Sequence, residues 1–261
     1  MGVEVEHTSG TAAIARAFVA ARAAGTALPV YPGALPASLA DAYRVQDAAL
    51  DLDGRAVVGW KVGKVDPAVD GADRLVGPIF ANQVTDAADP AMPVYAGGFA
   101  AAEAEFLLRI GTAPDPARRD WTIADVATLI DRCHAGIEIA SSPFPGINAH
   151  GPAVTVSDFG NNNGLVIGPA IADWSDLPGW PVELHVNGEA IGRAMGAAIP
   201  GGPLAAVKFL VEHMAARGRA LPVGSWVSTG AVTGVHQVAI GDRIEARFAG
   251  ELAVTCTIAA A

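Results

Sequence analysis

Cysteine is nearly absent from this 261-residue chain: Cys133 and Cys256 stand far apart, with no Cys-x-x-Cys pair or Cys/His cluster around them. That spacing argues against a disulfide framework or a structural zinc site, and it fits a reducing compartment, so the cytoplasm is the expected setting. Charge is scarce too, at 17% of residues against 51% hydrophobic, and it leans acidic, with a formal net charge of -10 and a pI near 4.9. A chain so short of cations has no basic field for phosphate backbones or anionic lipid, which argues against a nucleic-acid partner. No apolar run reaches bilayer width, and the opening Met-Gly-Val-Glu-Val-Glu has neither the basic start nor the apolar core of a signal peptide. Secretion and membrane insertion are therefore disfavoured. No Walker or dinucleotide fingerprint precedes a helix, and His150, His185, His213 and His236 lack metal-ligand spacing.

What is present is enough chain to bury a large core. Residues 11–24 are Ala-rich and stop at Gly25, as a helix does. Pro29, Pro32, Gly33 and Pro36 then break the pattern, and Ser38 is placed to cap a second helix over 39–51. Residues 1–52 thus form a helical amino-terminal region, and 53–261 a β-rich unit of short Val/Ile/Phe/Trp runs separated by Gly, Pro, Asn and Asp. The strands expected are 56–62, 98–110, 135–140, 153–156, 164–167, 182–186, 226–229, 243–248 and 252–258. Two helices interrupt them: 122–134, capped by Thr122, and 203–217, with a stripe of Leu204, Val207, Leu210 and Met214. Cys133 and His134 then fall at a helix end, as a terminus and not as a hydrolase pair.

The segment Phe99-Ala-Ala-Ala-Glu103-Ala-Glu105-Phe-Leu-Leu sets two carboxylates two residues apart in an apolar run. On a helix they would point to nearly opposite sides; on a strand they share one face and can touch a common partner. A third carboxylate, Glu138, lies between Ile137 and Ile139, a buried strand pattern. Buried carboxylates cost several kcal/mol each unless compensated, and a hard dication satisfies three at once. The alternative is that Glu103 and Glu105 lie on a solvated face while Glu138 pairs with Arg132 or Arg109. Lysine occurs only at 61, 64 and 208, so Lys61 in Val57-Val-Gly-Trp-Lys61-Val-Gly63 is a candidate for proton transfer or for holding a carboxylate. It could instead simply pair with a glutamate. Asp158 and the Gly160-Asn-Asn-Asn-Gly164 turn offer amides, Asn161 among them, to a polar ligand or else form a left-handed loop. Ser228, Thr229 and Gly230 offer hydroxyls and N–H groups after a strand.

Asp41-Ala-Tyr43-Arg-Val-Gln46, Gly59-Trp-Lys61-Val-Gly63, Glu103-Ala-Glu105, Gly136-Ile-Glu138, Gly202-Pro203-Leu204 and Ser228-Thr-Gly230 together resemble the fumarylacetoacetate hydrolase superfamily. The first of these segments is similar to the branch of 2-keto-4-pentenoate hydratases and 4-oxalocrotonate decarboxylases. The resemblance implies an α+β fold, a mixed and mostly antiparallel β-roll with flanking helices and a helical amino-terminal region. It implies Mg²⁺ or Mn²⁺ on Glu103, Glu105 and Glu138, a catalytic Lys61, and a pocket completed by Gly63, Asp158, Asn161, Ser228, Thr229 and Gly230. A homo-oligomer built from dimers and a small 2-oxo acid substrate follow from it. So does a lyase that hydrates a 2-hydroxyalka-2,4-dienoate to a 4-hydroxy-2-oxoalkanoate. Decarboxylation of a 2-oxo-3-enedioate, acylpyruvate-type C–C hydrolysis and a non-catalytic partner subunit are the alternatives; hydrolysis needs an amino-terminal histidine, and His7 has no context for that role. One departure stands beside the third glutamate: Ser141-Ser-Pro-Phe-Pro replaces the more typical Asp-Ser-Arg, which points away from a dicarboxylic substrate and toward a more apolar tail.

Overall fold

The computed structural model describes residues 2–261, with side chains described from Gly10 onward; the side chain of His7 lies outside that range. The chain opens with helix α1 (Gly2–Ala24), which ends at Gly25 in a left-handed conformation with φ 63°. Helix α2 (Leu39–Asp53) follows, capped by the Ser38 hydroxyl, which accepts the Asp41 N–H. Five strands come next: β1 (Val57–Val69), β2 (Ala72–Phe80), β3 (Val84–Thr85), β4 (Ala91–Val94) and β5 (Phe99–Ile110). Then come α3 (Ile123–Ala127), β6 (Ile130–Ser142), α4 (Pro152–Ser157), β7 (Asn162–Ala170), β8 (Pro181–Val186), β9 (Glu189–Met195) and α5 (Pro203–Ala216). The chain closes with β10 (Trp226–Ser228), β11 (His236–Gln237), β12 (Arg243–Phe248) and β13 (Leu252–Ala260).

These strands form two curled sheets, one in the order β2-β1-β10-β5-β6-β7-β3 with β11 also paired to β5, the other in the order β4-β13-β12-β8-β9. Pairs β1/β10, β3/β7 and β4/β13 are parallel and the rest are antiparallel. The architecture is the mixed, mostly antiparallel roll with flanking helices that the resemblance implies.

Strand β5 is buried on both faces, which is why it reads as a nearly continuous apolar run and not as an alternation. Ala102, Ala104, Phe106 and Leu108 join the main core, shared with Leu184, Ile244 and Phe248 of the second sheet and Leu210 and Met214 of α5. On the opposite face Phe99 and Ala101 pack with Ile14 and Phe18 of α1 and Val45 of α2. Glu103 and Glu105 belong to this second face, further along the strand from the helix contacts. Tyr43 and Gln46 dock α2. The Gln46 amide donates to the carbonyls of Val76 and Val156 at 3.0 and 3.1 Å, and the Tyr43 hydroxyl accepts the Val76 N–H at 3.0 Å. The motif that marks the branch is therefore the joint between helix, sheet and α4.

Two expected elements are corrected. Residues 153–156, with β-branched Val154, Thr155 and Val156, form part of helix α4, because Pro152 at its first position presets the helical φ and Gly151 supplies a left-handed entry at φ 86°. The expected helix over 122–134 stops at Ala127. The Thr122–Asp125 capping box starts it, but from Ile130 the chain pairs along β5, with Cys133 opposite Leu108 and Arg132 opposite Arg109. Cys133 and His134 therefore sit inside a strand, not at a helix end. Long-range pairing outweighs local propensity here. Strands β2, β3, β4, β9 and β11 are not among those expected: β2 is buried over most of its length without alternation, and its Gly77-Pro78 resembles a turn.

Gln46→Leu would leave two buried carbonyls without their donor at a cost of about 2 kcal/mol. The expected result is a lower denaturant midpoint at unchanged slope, and an unchanged midpoint would refute the docking role.

Candidate metal centre

Strand register brings the site residues together. Glu103 lies directly opposite Glu138 in the β5/β6 pair, and Glu105 lies opposite Gly136. Two residues further along β5, Leu107 faces Ser228 of β10, and Ser228 in turn faces Lys61 of β1. Residues two apart on a strand share a face, so Glu103, Glu105, Glu138, Ser228 and Lys61 all present their side chains on one side of the sheet. One ligand oxygen from each glutamate lies within 4.8 Å of those from the other two. All three are buried, at 4%, 0% and 0% exposure. The open alternative of a solvated Glu-x-Glu is thus removed, and Arg109 pairs with Asp131 instead of Glu138.

The surrounding groups orient the carboxylates without saturating them. Glu105 Oε2 accepts from the Ser228 hydroxyl at 2.5 Å and the Gly230 N–H at 2.8 Å. Glu138 Oε1 accepts from the Asn162 amide at 2.9 Å and lies 3.4 Å from the Lys61 ammonium. Glu105 Oε1 and Glu138 Oε2 have no hydrogen-bond partner among the described residues. Two buried and unpaired carboxylate oxygens within a cluster of three glutamates fit a hard divalent cation.

The electrostatics show the same unmet demand. Burial, reinforced by the charge of Glu138 and opposed by Lys61, pushes Glu103 up to about 7 from 4.5. Glu105 is raised well above the carboxylate range by burial and by the two neighbouring glutamates. Burial alone would depress Lys61, but Glu138, Glu103 and Glu105 outweigh it and hold the ammonium above its ordinary value. One lysine does not balance three carboxylates.

Lys61 and Glu103 open into a cleft of about 670 Å³, together with Gly63, Asn161 and Ala231. Its outer wall carries Val65, Val69, Leu75, Pro152 and Val235. Asn161 is 2% exposed, and its side-chain oxygen has no partner among the described residues. The other expected pocket residues sit behind the ligands. Ser228 and Gly230 grip Glu105, and Thr229 donates its hydroxyl to the Phe106 carbonyl at 2.8 Å. Asp158 is turned away from the cleft: Arg22 of α1 binds it at 2.6 and 3.0 Å and the Ser142 hydroxyl at 2.6 Å. Asn162 and Arg22 carry no sequence signal of their own. Asn162 is one of three adjacent asparagines, and Arg22 looks like any arginine on an Ala-rich helix.

The sign of the pH dependence follows from Glu103. Its pKa is raised on folding, so in metal-free protein its contribution to stability is full below about 4.5 and is lost as pH rises through about 7. A cation replaces those protons. An added divalent cation should therefore raise the melting temperature more at about pH 8 than at about pH 5.5, with proton release on binding. Equal gains at both pH values would contradict this linkage.

No family model matches the chain. A 2-keto-4-pentenoate hydratase of Burkholderia vietnamiensis is 31% identical over 200 residues, 73% of this chain and 75% of its own length. A hydratase of Dechloromonas aromatica is 30% identical over 80% of this chain and 81% of its own. A 4-oxalocrotonate decarboxylase of Pseudomonas putida is 31% identical over 130 residues, so this chain spans about half the length of that relative. In structure, 4-oxalocrotonate decarboxylase from Pseudomonas putida G7, complexed with magnesium and adipate, superposes with a TM-score of 0.77 at 23% identity over 95% of this chain and 97% of its own. A fumarylpyruvate hydrolase from Pseudomonas aeruginosa reaches a TM-score of 0.57 at 17% identity, over 77% of this chain and 89% of its own. At these identities the superpositions establish the fold, and the two hydratases carry the kinship: the chain belongs to the fumarylacetoacetate hydrolase superfamily, in its 2-keto-4-pentenoate hydratase and 4-oxalocrotonate decarboxylase branch.

Proposed function

We propose that the protein is a divalent-metal-dependent lyase that hydrates a 2-hydroxyalka-2,4-dienoate to a 4-hydroxy-2-oxoalkanoate. The observation that carries this reading is the pair of unpartnered carboxylate oxygens on Glu105 and Glu138, beside Glu103 and Lys61 at the floor of the cleft. Glu103, Glu105 and Glu138 would hold Mg²⁺ or Mn²⁺, oxygen ligands matched to a hard cation. When bound, the ion supplies Lewis-acid polarisation to the carboxylate and C2 oxygen of a 2-oxo acid. The related 4-oxalocrotonate decarboxylase has been crystallised with calcium and with magnesium, which supports an ion of this class.

In the reaction the dienol gives up its C2 hydroxyl proton and gains one at the chain end, forming a 2-oxo-3-enoate. Water then adds across C3–C4, its hydroxyl on C4 and its proton on C3. Lys61, an ammonium facing the cleft, holds the substrate carboxylate or delivers the first proton. Asn161, with its amide oxygen unsatisfied, accepts a hydrogen bond from the adding water. Val65, Val69 and Leu75 surround the tail and keep bulk water off the conjugated chain.

A decarboxylase acting on a 2-oxo-3-enedioate is the second reading on the same ligands. Hydration of a monocarboxylate is favoured because no arginine lines the cleft among the described residues, and Lys64, the lysine beyond Lys61, is paired with Asp66 at 2.7 Å. The test is to incubate purified protein with Mg²⁺ or Mn²⁺ and 2-hydroxypenta-2,4-dienoate. Loss of the dienoate absorbance with formation of the 4-hydroxy-2-oxo product is expected. CO₂ release from a 2-oxo-3-enedioate without hydration would assign the decarboxylase, and turnover only with an active homologue present would assign a partner subunit. Lys61→Met should keep metal binding while kcat falls by about 100-fold or more; undiminished kcat would remove Lys61 from the chemistry.

A further inference from the structure

The turn that supplies Asn161 and Asn162 to the site begins with a residue, Phe159, whose side chain does not favour the backbone it adopts. Phe159, Gly160 and Asn161 are all left-handed, with φ of 54°, 63° and 65°. Only glycine adopts this region freely, and a bulky side chain such as Phe159 rarely does. Such a conformation persists where surrounding structure over-determines it. From below, the turn rests on β2: a Cβ on Gly77 would come within 2.1 Å of the Phe159 carbonyl oxygen, so only a glycine there lets the two backbones touch. Phe159 is fully buried and packs edge-on against Phe80 at 5.1 Å.

From above, a single guanidinium clamps both ends of the turn. Arg22 of α1 donates Nε and Nη2 to the Asp158 carboxylate before the turn, and Nη1 to the Asn162 carbonyl at 3.1 Å and the Asn163 side chain at 3.2 Å after it. Its Nη2 also reaches the Ser141 carbonyl at 3.2 Å, three residues beyond Glu138 on β6. The guanidinium carbon lies 5.2 Å from the centre of the Phe159 ring. Asn162, held by its backbone to Arg22, donates its side-chain amide to Glu138 Oε1. The chain of contacts runs from α1 through Arg22 and Asn162 to a carboxylate of the proposed metal site.

We infer that Arg22, with Asp158 as its counter-charge, is a positioning residue for the metal centre. It fixes the left-handed turn so that Asn162 orients Glu138 and Asn161 is held in the cleft lining. This inference rests on the metal-site reading above. It assigns the amino-terminal helix a part in that site, although none of the described side chains of α1 lines the cleft around Lys61 and Glu103.

The test measures Mn²⁺ affinity by calorimetry or electron paramagnetic resonance on protein shown to be folded by circular dichroism. Arg22→Gln should weaken Mn²⁺ binding by about tenfold, the scale of groups that orient metal ligands. Arg22→Lys, which keeps the charge but not the fork, should lose less. Asn162→Ala should cause a similar loss, and adding Arg22→Gln to it should cost little more, because both act on Glu138 through one path. In metal-free protein the amides of 159–162 should exchange faster in the Arg22 variant. Should Arg22→Gln fail to fold, Asp158→Asn breaks the same clamp with nearly unchanged shape and carries the same expectations. Wild-type affinity in folded Arg22→Gln or Asp158→Asn, or full additivity with Asn162→Ala, overturns the positioning role alone. Wild-type protein that binds no Mn²⁺ overturns the metal reading with it.

Discussion

The cost of removing three carboxylates from water governs this structure. Strand β5 is covered on one face by the main core and, at its Phe99 end, on the other by the amino-terminal helices; Glu105 is fully buried, Glu103 meets solvent only through the cleft, and Glu138 on β6 is set opposite Glu103 by register. An arrangement of this kind is unfavourable by several kcal/mol per uncompensated charge. The fold answers with one ammonium, two backbone or hydroxyl donors on Glu105 and one amide on Glu138, and it leaves two oxygens open. Those open oxygens are the feature that a structural ion pair would have closed.

Much of the remaining architecture serves to hold these groups in place. The parallel β1/β10 pair sets Lys61 and Ser228 side by side, and the antiparallel β10/β5 pair sets both next to the glutamates. The helices at the amino terminus do more than cover a sheet face: Tyr43 and Gln46 fasten α2 to β2 and α4, and Arg22 fastens α1 to the turn before β7. A site assembled from four strands and a turn needs such ties, because its residues belong to segments far apart in the chain.

The unusual segment after Glu138 finds its explanation in the same network. Ser141 donates its hydroxyl to the Phe99 carbonyl at 2.6 Å and accepts the Tyr95 N–H, while Ser142 donates to Asp158. These serines stitch β6 to its neighbours and bring no charge to the cleft. The cleft wall beyond the carboxylates carries Val65, Val69, Leu75 and Val235, together with Asn148, Thr155 and the paired Lys64 and Asp66. Among the described residues no helix is long and apolar enough to cross a membrane.

The sequence by itself determined a good deal. A Glu-x-Glu pair in an apolar run, a lone lysine between glycines and a third glutamate between isoleucines are local patterns, and strand periodicity alone puts the first two carboxylates on one face. The composition likewise marked a β-rich chain after the helical start. Only tertiary structure could decide the rest, because it depends on pairings between residues far apart in the chain. Residues 130–134 became strand through β5, and 153–156 became helix against local β propensity. Asp158 was taken from the cleft by Arg22, 136 residues away, and Asn162 was brought to Glu138. Which carboxylate oxygens remain unsatisfied is likewise a property of the assembled neighbourhood. Hydrogen-bond saturation in a buried site is set by every strand that borders it, and no window of sequence contains them all.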